Sequence, residues 1–299
     1  MPHDPRFLTA LTGISGILVT PFDDQDRIAP ARLAPVIDRA VLAGVHILVS
    51  NGNTGEFYSL SLNEALSMVA ATADLVAGRA PLVGGAGRSV HEACLLATAS
   101  AKAGCSAIMM HQPPDPFVSP RGVVDYARRV ADAADGLPVV LYIRNDAIGA
   151  ATFASLSEIP SVVGVKWATP NPQKLAEAMA ASDPRLIWVG GLAEVWAPTL
   201  CAVGARGFTS GLINVWPQRS MAIHAALEAQ DYAKARQLIA GMKPFEDVRA
   251  EELGGANVSG VKTALRLQGI DCGPARPPAA WPLTDDQTAR IAAVIGAAP

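Results

Sequence analysis

The sequence predicts an α/β protein, a (β/α)8 TIM barrel with a C-terminal helical extension. Three observations carry that expectation. Eight short apolar runs, often β-branched, recur along the chain, and helical patterns separate them. The eight runs occupy about 215 residues, in the range of a barrel that typically takes about 250. After residue 215 the strand signals stop and only helical ones continue.

The eight runs are ISGILVT (14–20), HILVSN (46–51), APLVGGAG (80–87), SAIMMHQ (106–112), PVVLYIR (138–144), VVGVKWA (162–168), RLIWVGG (185–191) and GFTSGLI (207–213). Between the early runs lie clear helices. Residues 30–44 have apolar spacing and end in Gly44; residues 61–78 open on Ser61-x-x-Glu64, a capping box; residues 90–104 also end in glycine. Strands that alternate with helices imply parallel pairing through right-handed crossovers. The rival, an open doubly wound sheet, calls for a glycine-rich phosphate turn after the first strand. TPFDDQD stands there instead, and GGAGRS (84–89), after the third strand, is only weakly like such a turn. The expected organisation is a barrel over 1–215 and a helical region over 216–299 packed outside it.

The chain has 299 residues, 50% hydrophobic and 17% charged, so it can bury a core and is not a disordered polymer. Its formal net charge is -3 with no basic cluster, which gives no case for nucleic acid or an anionic membrane. No apolar run reaches the roughly 18 residues of a membrane helix. The opening MPHDPRF lacks the basic region of a signal peptide, and a cytoplasmic protein is expected. Cys94, Cys105, Cys201 and Cys272 are too scattered for a metal pair or a disulfide framework. His3, His46, His91, His111 and His224 show no ligand spacing, so no metal or cofactor is implied.

The chemistry concentrates at strand ends. In the sixth run, alternation sets Val163, Val165 and Trp167 on one face and Gly164, Lys166 and Ala168 on the other. The bulky set suits the outer face under helices, which points Lys166 into the barrel between small neighbours. A buried amine lowers its pKa and becomes a nucleophile toward ketone carbon. A lysine at a strand end with its head in solvent is the plain alternative. In the fifth run Tyr142 and Arg144 share the inward face near the C-terminal mouth, where barrel sites form. A tyrosine hydroxyl can move protons there, and an arginine can grip a carboxylate. Tyr142 as an ordinary core residue is the alternative reading. After the second run, Gly52 and Gly55 bracket Asn53 and Thr54, so a tight turn can present amides and a hydroxyl to a carboxylate. The alternative is a structural turn with Glu56 as a helix N-terminal acid.

GILVTPFDDQDRI, GNTGEF, the tyrosine of strand five, GVKWAT, GARGFTSGLINVWP and VKTALRLQGIDCGPARPP together resemble the dihydrodipicolinate synthase / N-acetylneuraminate lyase family, over nearly the whole chain. The resemblance implies a lyase of the class I, Schiff-base aldolase type acting on pyruvate or another 2-oxo acid. Lys166 matches the imine-forming lysine and Tyr142 the proton-relaying tyrosine. Asn53 and Thr54 stand where the loop holds the substrate carboxylate, with Asn53 replacing a more usual threonine or serine. The resemblance also implies a homo-oligomer, a tetramer or dimer. Two departures point away from the synthase: HQPPDPF lacks the paired tyrosines after strand four, and Ala147 stands where an arginine receives the second substrate. GNTGEFYSL, YIRND and LRLQGIDCGPARPP are locally closer to the 5-dehydro-4-deoxyglucarate dehydratases. That branch usually carries KDG at strand six and paired serines in strand eight, where this chain has KWA and Thr209-Ser210.

The expected function is therefore an imine-forming lyase for a pyruvate-like or sugar-derived 2-oxo acid, by aldol chemistry or dehydration. Arg144 is a candidate for a distal carboxylate or hydroxyl, with a rim salt bridge as its alternative, and Thr209 and Ser210 are candidates for hydroxyl contacts. The alternatives are a 5-dehydro-4-deoxyglucarate dehydratase specifically, a dihydrodipicolinate synthase-like enzyme, a non-catalytic 2-oxo acid binding protein, or a metal-dependent aldolase, which the lack of clustered histidines disfavours.

Overall fold

In the computed structural model, which describes residues 4–296, eight parallel strands close into a barrel in sequence order. They are β1 (Ile14–Ile17), β2 (Ile47–Ser50), β3 (Leu82–Ala86), β4 (Ala107–His111), β5 (Val139–Ile143), β6 (Val162–Trp167), β7 (Ile187–Gly190) and β8 (Gly207–Ser210), and β8 pairs back onto β1. Each expected apolar run contains one strand. His3 lies outside the described residues.

The helices are α1 (Pro5–Leu11), α2 (Ala34–Leu42), α3 (Leu62–Val76), α4 (Val90–Lys102), α5 (Pro120–Ala133), α6 (Ala150–Ser157), α7 (Pro172–Ala181), α8 (Ala193–Val203), α9 (Pro217–Glu228), α10 (Tyr232–Ala240), α11 (Lys243–Ala250), α12 (Asn257–Leu267) and α13 (Asp285–Ile295). The Ser61–Glu64 capping box forms at the start of α3, and Ser89–Glu92 and Thr284–Gln287 repeat it at α4 and α13. Helix α1 is too short to show a sequence period. Its Phe7 and Leu11 pack among the inward-facing strand residues and fill that end of the barrel. Helix α9 follows β8 as the other ring helices follow their strands, and it packs on α8 and β1. The strand–helix alternation thus continues into α9, and α10 to α13 follow it.

Alternation sorts the side chains into two apolar clusters, one inside the barrel and one between strands and helices. One expectation fails. Val163 packs inside with Val140 and Val189, not outside with Val165 and Trp167. The β5–β6 register slips by one residue here, since Val139 faces Val162 while Val140 faces Gly164. From Gly164 onward the expected parity returns. Val165 and Trp167 lie outside, and Lys166 stands in register with Tyr142.

The glycines of GGAGRS serve close packing. A Cβ on Gly85 would collide with the Asn51 carbonyl, and one on Gly87 would lie 2.8 Å from His111 Cβ. The Arg88 guanidinium donates to the carbonyls of Phe57 and Leu60. The segment thus shapes the β2 loop next to it. The C-terminal region also reaches that loop. Arg276 pairs with Asp26 and Glu64, and its backbone N–H donates to Glu56 Oε2 at 2.7 Å. No described helix is long and apolar enough to cross a membrane.

Candidate active site

A cavity of about 310 Å³ opens at the C-terminal ends of the strands. Lys166, Tyr142, Asn53, Thr54, Arg144 and Thr209 all line it. Six of the seven residues named from sequence thus meet at one place. Ser210 does not. Its side chain is fully buried on the outer side of β8, where its Oγ donates to Glu194 Oε1 at 2.5 Å and lies 3.1 Å from Ser220 Oγ. Alternation decides this: Thr209 faces in, so its neighbour must face out.

Lys166 is 4% exposed, and among the described residues no acidic side chain pairs with it. Its Nζ sits 3.7 Å from the centre of the Tyr142 ring and 3.9 Å from Met109 Sδ. Contact with the ring face favours an ammonium. Burial opposes it more strongly, and the nearby Arg144 charge adds to that, so the Lys166 pKa falls to about 7. A large fraction is therefore free amine at neutral pH.

Tyr142 Oη accepts a hydrogen bond from Asn53 Nδ2 at 2.9 Å. Burial raises its pKa to about 12, against a lowering by Arg144, so the phenol keeps its proton. That proton is free to point into the cavity. Asn53 Oδ1 is buried without a partner among the described residues. Arg144 is exposed at the rim with no carboxylate in ion-pair range among the described residues, so the salt-bridge alternative is not realised.

Behind Tyr142 lies His111, fully buried at the end of β4. Its Nε2 is 3.0 Å from the Asn51 carbonyl and its Nδ1 3.3 Å from Tyr58 Oη. The carbonyl can only accept, so Nε2 carries the proton and Nδ1 accepts from the tyrosine. Burial first, then the Lys166 charge, pushes the His111 pKa down to about 3. The ring is neutral and packs edge-on to Tyr142, with centroids 5.1 Å apart.

Sequence reasoning missed three parts of the site. Glu246, Arg249 and Asn257 come from α11 and α12 and line the same cavity. Nothing in their spacing relates them to the strand ends. The second part is the Lys262–Glu56 ion pair under the β2 loop, which unites residues from distant parts of the chain. The third is His111, whose histidine was visible but whose neutral, buried state was not. Among the described residues no group of three or more His, Cys, Asp or Glu side chains is placed to hold a metal ion.

A closed parallel barrel with a desolvated lysine and a tyrosine at its mouth defines the class, an α/β-barrel enzyme of the lyase type. The chain belongs to the dihydrodipicolinate synthetase family, whose model matches residues 10–298. It is 30% identical over 289 residues to a probable 5-dehydro-4-deoxyglucarate dehydratase of Rhizobium rhizogenes, covering 95% of this chain and 94% of that protein. Among solved structures it is similar to dihydrodipicolinate synthase from Oceanobacillus iheyensis, with a TM-score of 0.92, 33% identity and 97% coverage of each chain. N-acetylneuraminate lyase from Mycoplasma synoviae gives a TM-score of 0.84 at 25% identity, covering 96% of this chain and 98% of that one.

Proposed function

We propose that the protein is an imine-forming lyase that dehydrates a sugar-derived 2-oxo acid, with 5-dehydro-4-deoxyglucarate as the leading substrate. The observation that carries this reading is the Lys166 amine, buried without a carboxylate partner against Tyr142 in the cavity. The neutral amine adds to the ketone carbon, and the adduct takes up a proton from water and loses water to give a protonated imine. The imine draws electrons from the adjacent carbon, whose proton passes to water in the open cavity, and an enamine forms. The enamine expels a hydroxyl from the next carbon, and Tyr142 supplies the proton that makes it water.

Thr54 binds the carboxylate beside the ketone. The Asn53 NH2 donates to Tyr142 Oη and so orients the phenol at the cavity. Arg144, unpaired at the rim, takes the distal carboxylate. Relatives named as dehydratases support the same branch. The second reading, a condensing synthase, draws on the likeness to the Oceanobacillus iheyensis structure. Ala147 offers no charge for a second substrate's carboxylate. The oligomer expected from the family is part of the proposal, and light scattering of the purified chain tests it.

The deciding experiment incubates the protein separately with 5-dehydro-4-deoxyglucarate and pyruvate, adds borohydride, and maps the adduct by peptide mass. A reduced adduct on Lys166, together with water loss from the sugar acid, supports the proposal. An adduct without any turnover would make the protein a 2-oxo acid binder. Absence of an adduct with either compound overturns the imine mechanism for these substrates.

A further inference from the structure

Helix α11 lies outside the barrel, yet it delivers Arg249 to the cavity wall. The side chain is 7% exposed and firmly held. Nε and Nη2 donate to Asn257 Oδ1 at 3.0 and 2.7 Å, and Nη1 donates to Glu246. A guanidinium has five N–H bonds. Those contacts leave one N–H on each terminal nitrogen without a partner among the described residues, donors available to a carboxylate.

Its position narrows the role. A Cβ on Gly211 would collide with Arg249 Nη2 and lie 3.1 Å from Thr54 Oγ1, so guanidinium and hydroxyl flank the same glycine. Only the missing side chain of Gly211 leaves room for them. Gly211 follows β8 and Thr54 follows β2, on either side of β1, while Arg144 follows β5 across the ring. The cavity has two guanidinium poles on opposite arcs.

We infer that Arg249, jointly with Thr54, grips the carboxylate next to the reacting ketone, leaving Arg144 for a second anionic group at the far end of the substrate. This rests on the imine reading above. Glu246 and Asn257 are positioning residues that hold the guanidinium. Glu246 also cancels its charge when the site is empty, so the arginine can wait in a buried wall. The substrate class that follows is a 2-oxo acid with two anionic ends.

The test compares pyruvate with pyruvamide, its uncharged analogue, in borohydride trapping at Lys166. The readout is the ratio of their half-saturating concentrations. In the wild type pyruvate is favoured by about 10- to 100-fold, the worth of a charge-assisted contact. In Arg249→Gln the ratio falls to within about 3-fold, a loss of roughly half to one and a half factors of ten. The double variant Glu246→Gln/Arg249→Gln leaves no unpaired buried carboxylate and keeps the test open if the single variant fails to fold. Arg144→Gln changes the trapping rate and keeps the ratio. An unchanged ratio in both Arg249 variants overturns the inference and leaves the imine reading standing. An equal collapse in Arg144→Gln also overturns it, since a general positive field would then suffice. No Lys166 adduct with pyruvate or pyruvamide in the wild type overturns this inference, and the imine reading falls with it only if 5-dehydro-4-deoxyglucarate leaves none either.

Discussion

Lys262 Nζ lies 2.6 Å from Glu56 Oε1, and the pair is sealed from solvent beneath the loop that carries Asn53 and Thr54. The two residues come from α12 and the β2 loop. Lys262 also donates to the Pro274 carbonyl at 2.8 Å, and its ammonium lies 4.3 Å from the centre of the Phe22 ring. Glu56 holds a left-handed backbone, φ 56°, which this contact helps to fix. Burial shifts both groups toward their neutral forms, Glu56 up and Lys262 down, and each opposes the other's shift by its charge.

Lys262→Met removes one member and leaves Glu56 buried and unpaired. Unfolding by urea is expected to show a loss of about 3–5 kcal/mol. The substrate half-saturation rises as well, because the loop holding Thr54 loses its anchor. A variant with unchanged denaturation midpoint would show that the pair carries no net stability.

Lys166→Met removes the nucleophile and a desolvated amine together. Borohydride adducts vanish, turnover drops to background, and thermal stability at pH 6 rises. The gain is on the order of a few kcal/mol, the free-energy equivalent of a pKa drop from 10.5 to about 7. Activity retained by this variant would end the imine mechanism.

The same shift sets a pH profile. The folded value is about 7 against the ordinary lysine value of 10.5, so the unfolded chain binds more protons between those limits. Lys166 therefore makes stability rise with pH across that window. Trapping at low pyruvate should climb roughly tenfold per unit below about pH 7 and then level off. A profile still rising at pH 9 would mean an ordinary lysine.

Tyr142→Phe keeps the ring beneath Lys166 and removes the hydroxyl. The adduct still forms, while turnover falls about 10²- to 10⁴-fold, the usual range for a positioned proton donor. Loss of trapping with unchanged fold would assign Tyr142 to imine formation itself.

Ser210→Ala leaves the cavity lining intact and takes a hydroxyl from Glu194, whose carboxyl is fully buried and pushed up to about 7 by that burial. A stability loss of about 1–3 kcal/mol is expected with substrate half-saturation unchanged. A large rise in half-saturation alone would return Ser210 to the substrate site.

Strand periodicity and the break after residue 215 were enough to read the barrel, because a repeated strand–helix alternation has few compact solutions. The inward face of Lys166 and Tyr142 was legible for the same reason, since alternation is a local rule. Val163 fails where the β5–β6 register slips, and pairing between strands is not a local property, while Ser210 fails because it neighbours the inward-facing Thr209. What only the tertiary structure decided is which distant groups share a low-dielectric space. Burial and the charge of Arg144 bring Lys166 to about 7, and Arg249 comes beside Gly211, as Thr54 does, on a helix that packs against α12 and α13. Desolvation and contact across the chain have no period to read, so a linear sequence carries no direct sign of them.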